Sequence, residues 1–154
     1  MSAVHREILV RCSPAHAFAV FTQQVDLWWP PAHRRQTGSA MLLEAWPGGR
    51  FGEQAADGAL LPWGEVRACE PGARLLLSFL PGGGPLPTEV EVRFSTVGEG
   101  TLVQIEHRVA DSGLGALWPE RAHLFDRNWS ALLAAFQGAC DKASAPPPSN
   151  PEAP

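Results

Sequence analysis

Apolar and polar residues alternate with a period of two along most of the chain. The period becomes helical only near the C-terminus. Arg6–Cys12 sets Ile8, Val10 and Cys12 on one face and Glu7 and Arg11 on the other, which predicts a first strand with one buried face. Ser13-Pro14 follows, a hydroxyl N-cap with proline at the first helical position, and opens a short helix carrying Phe18 and Phe21 on its apolar side. Gln23–Trp29 predicts a second short helix that Pro30-Pro31 must stop. His33–Ser39 reads as an exposed loop.

Between Glu44 and Phe79 lie three turn signals at nearly regular intervals: Pro47-Gly48-Gly49, Asp57-Gly58 and Glu70-Pro71-Gly72. Each separates stretches of strand character, so the region predicts an antiparallel meander of strands at 41–46, 50–54, 60–69 and 74–80. Large aromatics (Trp46, Phe51, Trp63 and Phe79) fall in or beside successive strands. Pro81–Pro87 is a glycine- and proline-rich turn. Thr88–Val97 alternates Val90, Val92 and Phe94 against Glu89, Glu91 and Arg93. Thr101–Val109 alternates Val103, Ile105, His107 and Val109 against Gln104, Glu106 and Arg108.

From Pro119 the spacing is three and four. Ala122, Phe125, Trp129, Leu132, Leu133, Phe136 and Cys140 form one apolar stripe, predicting a helix over about 119–141. Residues 143–154 contain five prolines and no large apolar side chain, the composition of a disordered tail. The expected architecture is α+β: a seven-stranded curved antiparallel sheet wrapped around a long C-terminal helix, with two short helices after the first strand. It is one domain over residues 1–142. A seven-stranded sheet needs a cover for its inner face, and the amphipathic helix supplies it.

Charged residues make up 18% of the chain and the net charge is -4. A nucleic-acid partner, which requires a basic face, is not expected, and Arg34-Arg35 reads as solvated surface. Cys12, Cys69 and Cys140 are far apart and odd in number, which reads as free buried thiols in a reducing compartment. No apolar segment is long enough for a signal peptide or a membrane span, so a cytoplasmic protein is expected. His5, His16, His33 and His123 share no metal-ligand spacing, and Gly82–Gly84 lacks the Lys-Ser/Thr of a phosphate loop. No metal and no cofactor are expected.

Several short motifs follow one another along the chain. They are Trp28-Trp29-Pro30, Gly48-Gly49-Arg50-Phe51, Asp57-Gly58 followed by Trp63-Gly64-Glu65-Val66, Arg74–Phe79, Glu89–Phe94, Glu106-His107-Arg108, and Trp129-Ser130-Ala131-Leu132-Leu133. In this order the chain resembles the SRPBCC superfamily of START-like and birch-pollen-allergen-like proteins. Within it, the chain is similar to the bacterial homologues of the activator of the heat-shock chaperone ATPase. It departs at Asn128, where that family has glycine, and at Trp46, where arginine commonly precedes the Gly-Gly-Arg turn. The resemblance implies a helix-grip fold with a cavity between the concave sheet and the long helix.

Trp29, Trp63, Phe79, His107, Phe125 and Trp129 are the candidate lining of that cavity; the competing reading is that they fill an ordinary core. A neutral His107 would hydrogen-bond a guest, or a carboxylate such as Glu44 or Glu65, or simply be a core histidine satisfied by its neighbours. Glu106 and Arg108 read as cross-strand charges, and Arg50 as a tie between strand ends. The expected function is binding of a small, largely apolar molecule. The alternative is a protein-interaction module contacting a chaperone or another protein. A cyclase- or hydrolase-type enzyme comes third, and no catalytic residue is assigned.

Overall fold

A computed structural model describes residues 3–79, 88–109 and 118–144. The turn expected at 81–87 and the tail from 145 onward lie outside the described residues. Seven strands form one antiparallel sheet: β1 (Val4–Val10), β2 (Ala40–Leu43), β3 (Arg50–Gln54), β4 (Leu60–Glu70), β5 (Arg74–Phe79), β6 (Thr88–Val97) and β7 (Gly100–Val109). Their spatial order is β1-β7-β6-β5-β4-β3-β2. The first two strands in sequence therefore sit at opposite edges. The chain between them forms helices α1 (Pro14–Gln23) and α2 (Val25–Trp28) and a 3₁₀ turn at Pro31–His33. The long helix α3 spans Trp118–Ser144. This is the expected helix-grip α+β fold.

The turn chemistry explains the meander. Gly58 and Gly72 take φ of 87° and 78°, which a side chain would strain. Register shifts at Phe51/Gly52 and between Val66 and Ala68 add local twist and curl the sheet. Ser13 caps α1 as expected, its hydroxyl accepting from His16 N at 3.1 Å.

Boundaries moved where side chains intervened. β1 begins and ends two residues before the expected 6–12, because the chain bends at Arg11 and the Cys12 carbonyl accepts from the Thr101 hydroxyl at 2.7 Å. β2 stops at Leu43 rather than Trp46. Glu44 there folds its carboxylate onto Arg50, taking Nε at 2.8 Å, Nη2 at 2.9 Å and the backbone N at 2.8 Å. Arg50 is thus the expected tie between strand ends. That bidentate grip holds the Glu44 pKa down to about 2. α3 runs two residues past the expected domain edge at 142.

The predicted stripe of α3 is buried at Phe125, Trp129, Leu132, Leu133, Phe136 and Cys140. Arg6 fixes the helix beside β1 through a forked pair with Asp126 at 2.8 and 2.9 Å. On the sheet's outer face Glu91, 5% exposed, lies among Arg74, Arg93 and Arg108. Burial alone would raise its pKa, but the guanidiniums hold it at about 2. The Glu106–Arg108 alternation belongs to this network. Cys12 and Cys140 are buried free thiols; Cys69, expected buried, is half-buried. No helix of the described residues is long and apolar enough to cross a membrane.

Candidate functional site

An open cleft of about 390 Å³ lies between α3 and the segment 29–35. Five of the six candidate residues line it: Trp29, Trp63, Phe79, Phe125 and Trp129. They come from the end of α2, from β4, from the end of β5 and from two positions of α3 four apart, hence on one helix face. Their rings touch in sequence, Trp29–Trp63 at 5.3 Å, Trp63–Phe79 at 5.9 Å and Phe79–Phe125 at 6.0 Å, and Trp129 meets Trp29 at 6.3 Å. Behind the cleft the interior is filled. The enclosed void bounded by Phe21, Trp29, Leu43, Phe51, Leu77, Phe79, Val90 and Trp129 measures about 10 Å³, room for at most one water. The space expected between the concave sheet and α3 is therefore packed with side chains, and the open volume sits at its rim.

His107 does not line the cleft. It is 0% exposed, stacked on Phe125 at 4.2 Å and touching Phe79, Trp118 and Trp129. The Trp129 indole donates to His107 Nδ1 at 3.0 Å. An indole only donates, so Nδ1 is the acceptor and the imidazole proton is on Nε2. Nε2 lies 2.7 Å from the Thr88 hydroxyl, which in turn donates to the Phe79 carbonyl at 3.1 Å. Every position of this chain is satisfied. Burial lowers the His107 pKa to about 3, so the ring is neutral. Its partners are Thr88 and Trp129, not Glu44 or Glu65: Glu44 is taken by Arg50, and Glu65 pairs with Arg67 at 3.4 Å. His107 is a core histidine that holds Trp129 in place.

Glu53 was missed by the sequence reading. It is 0% exposed and lies behind the cleft lining, bonded to Arg35 and Trp63. Four donors converge on its carboxylate: Arg35 N at 2.8 Å, Gln36 N at 2.9 Å, Ser39 Oγ at 2.7 Å and Trp63 Nε1 at 2.8 Å. Burial would push its pKa up; the four hydrogen bonds outweigh burial and hold it below the usual carboxylate range. A signal existed, because Phe51 and Glu53 are two apart in one strand and share a face.

Segment 33–39 is correspondingly no loose loop. Glu53 pins its backbone, and Arg34 donates to the Trp29 carbonyl, the Ser39 carbonyl and both the carboxylate and carbonyl of Asp26. Arg35 lies over the Trp63 ring, 4.7 Å from its centroid. The expected solvated arginine pair is a structural clamp followed by a cation on an aromatic face. Trp46 is 57% exposed and lies off the cleft, whereas Asn128 lines it. The substitution at Trp46 therefore takes no cation from this site. Among the described residues no group of three His, Cys, Asp or Glu side chains is arranged to hold a metal.

A curled sheet gripping one long helix, with an aromatic cleft at the rim, defines a helix-grip domain of the SRPBCC type. A profile of the family described as AHSA1, activator of Hsp90 ATPase homolog 1-like protein, matches residues 11–140, and the chain belongs to that family. Among solved structures it is similar to protein MLL2253 from Mesorhizobium loti, with a TM-score of 0.68 and 19% identity over 91% of this chain and 97% of that one. The Aha1 dimer from Colwellia psychrerythraea matches with a TM-score of 0.65 and 18% identity, over 94% and 99% of the two chains. The self-sacrificing resistance protein CalC from Micromonospora echinospora matches at 0.64 and 20%, over 94% and 97%. At these identities the likeness is one of fold. No protein of curated function matches the sequence.

Proposed function

We propose that this domain binds a small, largely apolar molecule in the rim cleft. The observation that carries the reading is convergence: five large aromatic side chains from four elements face one open volume of about 390 Å³, within the range of small-molecule pockets. Aromatic surface left facing such a space favours a guest that removes it from water. The cleft and the small interior void share Trp29, Phe79 and Trp129, so rotation of those rings would extend the site inward. The polar bonds of Glu53 and His107 hold Trp63 and Trp129 from behind the lining. A cyclase- or hydrolase-type reaction here would have to do without His107 as acid or base, since both its nitrogens are occupied. The free cysteines support a reducing, cytoplasmic setting.

Titration of the full chain with the neutral fluorophore N-phenyl-1-naphthylamine tests this reading. One probe should bind per chain and quench tryptophan emission, because Trp29, Trp63 and Trp129 border the site. Phe125→Ala should weaken binding about tenfold through lost apolar contact. Absence of saturable binding would overturn the proposal.

A second reading is favoured by one observation. Leu27 is 78% exposed and lines a groove with Gln24, Trp28, Ala135, Gly138, Ala139 and Lys142, a partly apolar surface suited to a protein partner. The family description, and the relative named Aha1, make a chaperone ATPase the partner to try first. Pull-down of a purified chaperone ATPase by the wild-type protein but not by Leu27→Glu would support it.

A further inference from the structure

We propose that the guest of this cleft is an amphipathic anion: a flat apolar body bearing one carboxylate, sulfonate or phosphate group. This rests on the cleft's being a binding site and names the class of ligand it takes.

Charge is the first ground. The chain carries 16 acidic residues against 12 basic ones, yet the described residues lining the cleft include Arg34, Arg35 and Arg121 and no Asp or Glu. Two carboxylates stand behind these cations. Asp26 pairs with Arg34 at 2.7 Å, and Glu53 accepts from the Arg35 backbone.

Position is the second ground. Arg121, Phe125 and Trp129 follow each other at four-residue steps on α3, so the cation and the two rings form one row along the cleft. A guest lying on the rings reaches Arg121 with its end. Arg121 also sits in the first turn of a 27-residue helix, where the helix dipole already favours negative charge. Glu120, the acidic residue of that turn, is not part of the lining. Across the cleft the Arg35 guanidinium is held over Trp63. Burial of part of the group draws its pKa down while Glu53 pulls the other way, and the residue as a whole stays exposed and open to a guest.

The test compares two probes with the same body. 8-Anilinonaphthalene-1-sulfonate carries the anion, and N-phenyl-1-naphthylamine lacks it. On the full chain the sulfonate should bind about tenfold more tightly, and the difference should shrink at high salt. Arg121→Gln, an exposed helical substitution, should weaken the sulfonate about three- to tenfold and leave the neutral probe unchanged. Arg67→Gln, a guanidinium on β4 that is absent from the cleft lining, should change neither. Equal affinity for the two probes, no effect of Arg121→Gln, or an equal effect of Arg67→Gln would overturn the anion proposal while leaving the apolar site standing. Failure of both probes to bind would overturn the site itself.

Discussion

The aromatic core divides at Trp28 and Trp29, neighbours in sequence whose rings touch at 5.3 Å but face different surroundings. On the Trp28 side, Phe18, Phe21, Phe94 and Phe136 close on one another at 5.1–6.0 Å, counting the contacts to Trp28. All are buried. The polar group of this cluster is met locally, the Trp28 indole donating to the Val20 carbonyl at 3.0 Å. On the Trp29 side the rings are interleaved with buried polar groups whose partners lie on other elements: Glu53 to Trp63 and segment 35–39, His107 to Thr88 and Trp129. The phenylalanines of the first region close on one another, with only Trp28 reaching the Leu27 groove, and the second region borders the cleft. Apolar packing alone brings rings together until no space remains. Directional bonds hold Trp63 and Trp129 at set positions along the edge of the cleft. The same region shows that burial does not by itself decide charge. Glu53 and His107 are both 0% exposed, but four donors keep Glu53 ionised, while His107 meets only uncharged partners and is neutral.

The phenylalanine side should carry the larger share of stability. Phe136→Ala, at 0% exposure, should cost about 3–5 kcal/mol in urea unfolding and leave probe affinity per folded molecule unchanged. A loss of affinity as large as that caused by Phe125→Ala would show that the two regions are not separable. On the open side, Glu53→Gln turns an amide N–H₂ toward donors and should cost about 2–4 kcal/mol. It should also free the Trp63 indole, visible as a shift in tryptophan emission. An unchanged melt would mean the carboxylate is dispensable to the wall.

Acid should reach the open side first. The folded pKa of His107 is about 3 against an ordinary 6.5, so between those values the unfolded chain takes up a proton that the folded chain refuses. Its contribution is complete above pH 6.5 and is lost as pH falls toward 3. The lowered pKa values of Glu44 and Glu91, about 2 against 4.5, act only below the ordinary carboxylate value. The stretch from 6.5 to 4.5 thus separates His107 from them, with a loss of up to about 2–3 kcal/mol. His107→Gln should flatten that limb in urea melts at successive pH; an unaltered slope would place the titrating group elsewhere. The smallest effect is expected from ending the chain at Ser144. Both regions are built from earlier residues, so the change should stay within about 0.5 kcal/mol. A larger loss would mean that residues 145–154 bear on one of them.

Much of the fold was legible because strand and helix periods follow from backbone geometry. The alternation in 88–97 and 101–109, the stripe from Phe125 to Cys140, the Ser13-Pro14 helix start and the turn glycines all express local rules, and each element appears within a few residues of its expected place. The aromatic set was legible for the same reason, since parity and stripe say which face a ring occupies. What local rules cannot say is which side chain on another element a buried polar group will meet. The partners of His107 lie 19 and 22 residues away, and those of Glu53 between 10 and 18.

By itself, then, the sequence determined the elements, their inner faces and the family. Only the tertiary structure decided that His107 is a satisfied core residue, that Glu53 organises the segment carrying Arg34 and Arg35, and that the interior is filled while the rim is open. Those outcomes depend on how α3 and segment 29–39 dock against the sheet, and docking is set by contacts between elements rather than by the period within any one of them.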